Sequence, residues 1–167
     1  MSKLRRYPAE GRPSFITNVT FARRPLLIDN VDLLWDAFAT VKSRIPFELL
    51  AWVILPDHFH IVIDPKENDL SRILQRIKMS FAASWRKRKG RHSGRVWQHR
   101  FWDHVIRDQD DWNRHIDYIH YNPARHGLVR SPFDWTHSSI HEYREQGFYA
   151  ADWGVRESPI IDGEFGE

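Results

Sequence analysis

The strongest constraint on the fold is a pair of apolar segments that only two residues separate. Residues 47–55, FELLAWVIL, and residues 58–63, HFHIVI, have the length and composition of strands, and Pro56 and Asp57 stand between them. Because proline followed by aspartate is typical of a tight turn, the two segments predict an antiparallel hairpin. The apolar composition of the first segment predicts a central position in a sheet.

The apolar pattern on both sides of the hairpin predicts the remaining elements. A strand is expected at 14–21, where alternate residues share one face, and residues 95–107 supply further strand material. Helices are expected at 30–45, at 70–89 and from Asp110 to about Asn122, because apolar residues recur there every three or four positions. The order β-α-β-β-α-β followed by another helix predicts an α+β fold. That fold is a ferredoxin-like (RRM-like) antiparallel sheet with two helices on one face.

The length of 167 residues fits one domain. We expect this domain at 1–154 and an acidic tail at 155–167, for which disorder and contact with a basic surface are both open. No apolar run approaches the ~20 residues that span a bilayer, so no membrane partner is expected. The N-terminal residues lack the apolar centre of a signal peptide, and a cytoplasmic location is the simplest interpretation. A monomer and a homodimer both stay open.

The positive charge of the chain is concentrated in one segment. No acidic residue occurs between Leu70 and Trp102. Such a block indicates a polyanionic partner, because each cation that meets a phosphate releases a counterion, although a solvated helix face is the alternative. Aromatic residues within the block favour single-stranded nucleic acid, since rings stack on unpaired bases. The candidate DNA-binding residues are Arg72, Arg76, Lys78, Arg86, Lys87, Arg88 and Arg91.

Two histidines, His58 and His60, alternate with apolar residues in the second strand of the hairpin. Because side chains two apart in a strand share a face, both imidazoles are expected on the open face of the sheet, close enough to bind one ion. The chain has no cysteine, so a metal must be bound by histidine, amide or carboxylate groups. Two ordinary half-exposed histidines are the alternative.

The last predicted helix contributes a tyrosine and an amide. Tyr118 and Asn122 are one helical turn apart and flank the apolar stripe, whereas Tyr121 points away from that stripe. The Tyr118 hydroxyl is a candidate nucleophile, and Asn122 is a candidate third ligand beside the two histidines. A tyrosine that only anchors the helix, with its hydroxyl in water, is the alternative.

Together these motifs resemble the single-tyrosine HUH transposases. HFH follows LPD, and YIHYNPARHGLV comes about sixty residues later. The segments YPAEGRPSFITNVT, VWQHRFWDHVIRD and WTHSSIHEY resemble the branch associated with repetitive extragenic palindromes (REPs), and the likeness spans about residues 7–154. The resemblance implies an enzyme that cleaves and rejoins single-stranded, hairpin-containing DNA through a 5′-phosphotyrosine. By position it implies Tyr118 as the nucleophile and His58, His60 and Asn122 as ligands of Mg²⁺ or Mn²⁺. Some relatives carry glutamine at the position of Asn122.

Two other classes of function stay open at this stage. In a non-catalytic single-stranded nucleic-acid-binding module of RRM-like fold, His58 and His60 are surface residues and Tyr118 is an anchor. A metal-dependent hydrolase uses water in place of Tyr118. A divalent ion at the histidines, together with a covalent DNA adduct that requires Tyr118, distinguishes the transposase from both.

Overall fold

A computed structural model describes residues 5–8 and 11–167, so positions 1–4, 9 and 10 of the expected domain lie outside the described residues. Its four strands are β1 (Ser14–Val19), β2 (Glu48–Ile54), β3 (His58–Asp64) and β4 (Trp102–Val105). They form one antiparallel sheet in the order β2-β3-β1-β4. This is the strand order of a ferredoxin-like sheet, and the predicted α+β fold is confirmed.

Four α-helices accompany the sheet in the described part of the chain. They are α1 (Val31–Lys42), α2 (Leu70–Arg88), α3 (Gln109–Arg125) and α4 (Ile140–Glu145). Among the residues described, no helix combines the length and the apolar character needed to cross a membrane.

Helix α3 differs from its predicted limits at both ends. Its N-cap is Asp108, whose carboxylate accepts a hydrogen bond from the backbone N–H of Asp111, and not Asp110 as predicted. Pro123 was expected to end the helix at Asn122 but lies inside it. Pro123 has no N–H, so it cannot donate to the carbonyl of Ile119 four residues earlier, and this single hydrogen bond is lost in the last turn of the helix. The helix therefore continues to Arg125.

Helices pack on both faces of the sheet, which corrects the prediction of an open face. Helices α1 and α2 cover one face, where Ile16, Phe59 and Ile61 belong to their core. The opposite face carries Phe15 and Val62, and α3 covers it with residues such as Ile116 and Ile119. Any side chain of β3 that shares a face with Val62 therefore lies beneath α3.

The core under α2 provides a test of this packing. Phe81 is fully buried there, with its ring centroid 5.2 Å from that of Trp97. Phe81→Ala is expected to lower the free energy of unfolding by about 3–5 kcal/mol, because it removes a large buried ring and leaves a cavity. Met79→Ala, on the exposed side of the same helix, is the matched control, with an expected change within about 0.5 kcal/mol. Urea denaturation measures both, and equal losses would contradict the described orientation of α2.

After α3 the chain returns to the sheet twice. Residues 137–139 run along β2, where the N–H of Ile54 donates to the carbonyl of His137 and the N–H of Ser139 donates to that of Trp52. Residues 155–167 form neither helix nor strand. Their end nevertheless packs against the protein, since Phe165 is buried in the core between α3 and the sheet. The division at residue 154 into a domain and a tail stays a prediction.

Candidate active site

The two histidines of β3 lie inside the protein and not on an exposed sheet face. His58 and His60 are 2% and 0% exposed, and their ring centroids are 4.9 Å apart. They share the face of Val62, which α3 covers. The prediction that they project together is therefore confirmed by their geometry, whereas the open face predicted for them is wrong.

Each imidazole is oriented by a hydrogen bond at Nδ1. His58 Nδ1 lies 2.6 Å from Asp57 Oδ1, and His60 Nδ1 lies 2.8 Å from Thr17 Oγ1. The Thr17 hydroxyl itself donates to the carbonyl of Phe165, so its oxygen is free to accept from His60. Both Nε2 atoms consequently point to one common position. Such hydrogen bonds at the second nitrogen are typical of metal-binding histidines.

Helix α3 places Tyr118 and Asn122 directly over the histidine pair. The two residues are one turn apart and are 1% and 0% exposed, so both are more deeply buried than the edge position expected from the sequence. The Tyr118 ring centroid is 5.2 Å from that of His60. Tyr121 points elsewhere, since its hydroxyl donates to Ser158 Oγ at 2.8 Å. The structure thus brings together the four residues predicted for the site and leaves Tyr121 outside it.

The donor set at this position fits a divalent cation. The ligand atoms of His58, His60 and Glu167 all lie within 4.8 Å of one another. The amide oxygen of Asn122 is buried and has no hydrogen-bond partner among the described residues. Buried polar atoms normally have hydrogen-bond partners, so this oxygen is free to act as a ligand, while Nδ2 of the same amide lies 2.8 Å from Glu167 Oε1. Two imidazole nitrogens with amide and carboxylate oxygens suit an ion that accepts both kinds of ligand.

The end of the chain occupies the same position. Glu167 Oε1 lies 3.2 Å from His58 Nε2, 2.8 Å from His60 Nε2, 2.8 Å from Asn122 Nδ2 and 3.1 Å from His126 Nε2. Burial opposes ionisation of this carboxyl, but the hydrogen bonds from the histidines hold the pKa of Glu167 well below its usual range. The tail therefore reaches the candidate active site, and not the basic helix.

The side chain of Phe165 covers the candidate nucleophile. Its ring stacks on that of Tyr118 with centroids 3.7 Å apart and planes at 8°. The Arg125 guanidinium lies 5.1 Å from the centre of the same Tyr118 ring. Burial raises the pKa of the Tyr118 hydroxyl, as does the carboxylate of Glu167, while Arg125 opposes the shift. Tyr118 is consequently held as a neutral phenol in this arrangement.

Two further histidines on α3, His115 and His120, make their hydrogen bonds with groups other than Tyr118. His120 Nδ1 lies 2.7 Å from Tyr149 Oη and its Nε2 lies 2.9 Å from Ser139 Oγ. His115 Nδ1 lies 2.8 Å from the carbonyl of Asp111. The two nitrogens of His120 and Nδ1 of His115 are therefore engaged in contacts with groups other than the tyrosine hydroxyl.

A second group of possible metal ligands consists of His104, Asp111 and His115. The carboxylate of Asp111 already has cationic and hydrogen-bonding partners. His104 Nε2 lies 2.7 Å from Asp111 Oδ2, and the guanidinium of Arg114 lies 2.9 Å from Oδ1. Burial would raise the pKa of Asp111, but these hydrogen bonds, with that of the Arg107 N–H, lower it to about 2. Because guanidinium groups already bind the carboxylate, the group has the character of a structural ion-pair network.

The buried neutral histidines predict a loss of stability on mild acidification. Burial lowers the pKa of His60 to about 4 and the pKa of His120 well below its usual value. Between pH 6.5 and 5 the unfolded chain thus binds more protons, so stability must fall as the pH falls. At pH 5.5 we expect each of these histidines to have lowered the free energy of unfolding by about 1 kcal/mol.

Urea unfolding at pH 7.5 and pH 5.5 measures this dependence. His120→Gln is expected to reduce the difference between the two pH values, whereas His99→Gln, at an exposed position, is expected to leave it unchanged. An unchanged difference in His120→Gln would mean that His120 is not buried in its neutral form.

The basic helix α2 lies on the opposite face of the sheet from the histidine pair. Three of the predicted DNA-binding residues make contacts within the protein. Lys78 donates to the carbonyl of Gln98 at 2.8 Å, and Arg86 donates to that of Gly94. Arg88 forms an ion pair with Asp32 of α1. These three side chains hold neighbouring segments together, and their role in DNA binding stays a prediction.

The other four predicted DNA-binding residues are available to a partner. Arg72 and Arg76 line a groove of about 530 Å³ between α1 and α2, which also contains Arg44. Lys87 and Arg91 are exposed near the end of α2. Exposed positive charge is thus presented on the α1–α2 side of the sheet, away from Tyr118.

Sequence reasoning missed several residues of the site. Asp57 directly precedes His58, so its place at the turn was a usable signal for a contact with that imidazole. Arg125 and His126 follow Asn122 at helical spacing, but the helix is predicted to end before Pro123. Glu167 offered no local signal, because its contact with His60 spans 107 positions.

Comparisons with known proteins agree with the geometry. The profile of the IS200-like transposase family matches residues 15–121. The chain is 36% identical over 167 residues to the REP-associated tyrosine transposase of Escherichia coli (strain K12), and the match covers 98% of both chains. A solved structure of a REP-associated tyrosine transposase bound to a REP hairpin superposes with a TM-score of 0.81 at 36% identity. That match covers 100% of this chain and 98% of the other.

Proposed function

Because this chain belongs to the REP-associated tyrosine transposases of the IS200-like transposase family, we propose that it cleaves and rejoins single-stranded DNA that carries a REP-like hairpin. Tyr118 is the proposed nucleophile. One observation supports the proposal above all others. A single turn of α3 places Tyr118 and Asn122 against the adjacent imidazoles of His58 and His60.

The proposed reaction is a transesterification. The Tyr118 oxygen forms a bond to phosphorus and loses its proton, the bond from phosphorus to the 3′ oxygen breaks, and that oxygen leaves as a 3′-OH after it takes up a proton. The product is a 5′-phosphotyrosine. Because the new ester conserves the energy of the old one, attack by another 3′-OH rejoins a strand without ATP.

His58, His60 and Asn122 are the proposed ligands of Mg²⁺ or Mn²⁺, and two imidazoles favour Mn²⁺ by ligand preference. When bound, such an ion neutralises a nonbridging phosphate oxygen and stabilises the leaving 3′ oxygen. Asp57 and Thr17 keep the two imidazoles in the required orientation through their Nδ1 atoms. The absence of a cysteine and the unpartnered oxygen of Asn122 both support this donor set.

The remaining residues of the site control the nucleophile. Burial keeps Tyr118 protonated until a substrate enters, because its pKa is raised. The guanidinium of Arg125, 5.1 Å from the centre of the tyrosine ring, can offset the charge that develops on the phenol oxygen. The enclosed position also limits access of water, which would otherwise hydrolyse a phosphodiester without a protein link.

The hairpin stem is proposed to bind on the α1–α2 side of the sheet. Arg72, Arg76, Lys87 and Arg91 are available there, and phosphates are the chemistry that a surface of exposed arginine and lysine recognises. Contacts of this type make the affinity fall with salt concentration, so the salt slope of binding reports how many of them form.

The proposed function is tested by trapping the intermediate. The protein is incubated with end-labelled single-stranded hairpin DNA in Mn²⁺, Mg²⁺ or EDTA, and the products are separated on a denaturing gel. We expect a covalent adduct with a divalent ion and none in EDTA, and peptide mapping is expected to locate the DNA on Tyr118. Cleavage without any adduct would indicate a hydrolase, and binding without cleavage would indicate a non-catalytic module.

A further inference from the structure

Beyond β1 the chain forms a short turn, Phe21–Arg23, at the end of the sheet that carries His58. Val19 pairs with His58 across the sheet, and the next N–H, that of Thr20, donates to the carbonyl of Asp57 at 2.8 Å. The carboxylate of Asp57 then connects the two features. Its Oδ1 lies 2.6 Å from His58 Nδ1, and its Oδ2 accepts a hydrogen bond from Arg23 at 3.4 Å.

The backbone of this turn is strained. Ala22 and Arg23 have φ angles of 55° and 49°, in the left-handed region that residues with a Cβ rarely adopt. The Thr20 hydroxyl donates to the carbonyl of Arg24, and the N–H of Phe21 donates to that of Val96, so the conformation is fixed by its surroundings. Strain of this kind is concentrated at sites that bind ligands.

The strained turn exposes an aromatic ring. Phe21 is 41% exposed, although it follows directly on a buried strand. The Arg95 guanidinium lies 5.0 Å from the centre of its ring. Phe21 is therefore one of few large apolar side chains in the described residues that are presented to solvent, and it is already stacked with a cation.

Arginines surround this ring and connect it to α2. Arg24 and Arg91 both lie over the indole of Trp85, at 5.5 and 6.0 Å from its centre. Within the described part of the chain, Arg23 is the one arginine of this group with a carboxylate partner, Asp57. We call this surface the junction patch; it consists of Phe21, Arg23, Arg24, Arg91 and Arg95.

The junction patch lies between the two surfaces on which the proposed function depends. Through Trp85 it adjoins the end of the basic helix α2, and through Asp57 it adjoins the histidine pair on the other face of the sheet. This end of the sheet thus offers a direct path for DNA that binds both surfaces. Guanidinium groups suit its phosphates, and an exposed phenyl ring suits a base that has no pairing partner.

We propose that the junction patch binds the point where the base-paired stem of the hairpin ends and the single strand begins, with Phe21 stacked on the first unpaired base. This inference rests on the proposed function for the identity of the DNA. It assigns a role in substrate positioning to residues outside the metal and tyrosine site.

The test uses hairpin DNA with 2-aminopurine at the first unpaired position, on the 5′ side in one probe and on the 3′ side in another. A blunt hairpin is the reference, and all samples contain EDTA so that cleavage plays no part. Wild-type protein is expected to quench the fluorescence of one extended probe. Phe21→Ala is expected to lose this quenching and to weaken binding of that probe about tenfold, the scale of one base–aromatic stack, while blunt-hairpin affinity stays within about twofold.

Three further variants separate stacking from other effects. Phe21→Trp is expected to retain the quenching and Phe21→Leu to lose it, since leucine is apolar but has no ring. Val105→Ala, at an exposed apolar position of β4 opposite Ser14, the other end of β1, is expected to bind and quench as wild type does. Unchanged quenching in Phe21→Leu, or equal weakening of the blunt and extended probes, would overturn the proposal. The assay contains no divalent ion and measures only binding and quenching. It therefore tests this inference even if the protein forms no covalent adduct with DNA.

Discussion

Tyr118→Phe is expected to abolish formation of the covalent adduct with hairpin DNA in Mn²⁺. Phenylalanine has the same ring but no oxygen, so no bond to phosphorus can form, and the buried ring keeps its contacts with His60 and Phe165. The expected loss is complete, and the measurement is the fraction of labelled DNA that migrates with the protein on a denaturing gel.

The same helix provides the matched control. Tyr121→Phe removes a hydroxyl three residues later that donates to Ser158 and does not face the histidines, so adduct formation is expected to stay within about twofold of wild type. A native gel shift is expected to show that both variants still bind the hairpin. An adduct that persists in Tyr118→Phe and disappears in Tyr121→Phe would show that the nucleophile is Tyr121 and not Tyr118.

Removal of residues 163–167 is expected to raise the rate of adduct formation by at least about tenfold. Glu167 lies at the focus of His58, His60 and Asn122, and Phe165 lies on the ring of Tyr118. While this segment stays in place it covers Tyr118 and the histidine pair, so the observed rate is limited to the fraction of molecules in which the segment has left. Single-turnover adduct formation in Mn²⁺ measures the change.

Two point variants make the same test without shortening the chain. A Cβ on Gly166 would clash with Cβ of Trp102, so Gly166→Ala must displace the segment and is expected to raise the rate as well. Glu164→Gln, at an exposed acidic residue of the same segment, is expected to have no effect. A lower rate together with weaker Mn²⁺ binding after truncation would instead show that Glu167 is a metal ligand.

The sequence allowed the order of elements to be predicted because the relevant signals are local. The Pro56–Asp57 turn and the alternation around His58 and His60 identify a hairpin without any knowledge of the rest of the chain. The spacing of Tyr118 and Asn122 identifies one side of a helix in the same way. The predicted fold class is confirmed, and the four predicted site residues do meet.

Features that depend on how distant elements pack could not be predicted in this way. The periodicity of α3 shows that it has an apolar stripe but not which sheet face that stripe covers, so the burial of His58 and His60 was not foreseen. The contact of Glu167 with the histidines could not be predicted for the same reason, because it joins residues that are far apart in the sequence. The continuation of α3 past Pro123 was missed because a proline is tolerated where only one terminal hydrogen bond is lost.

Because the proposed nucleophile and one proposed ligand lie on a single helix, the number of residues between them is constrained. Successive residues of a helix are rotated by about 100° and displaced by about 1.5 Å along its axis. One residue inserted between Tyr118 and Asn122 would therefore turn the amide to a different side of α3. No adjustment of neighbouring side chains can restore it. By contrast, the chain between β3 and α3 can change in length without altering that angle. Among relatives we therefore expect the interval between the tyrosine and the amide to be constant, and insertions to accumulate elsewhere.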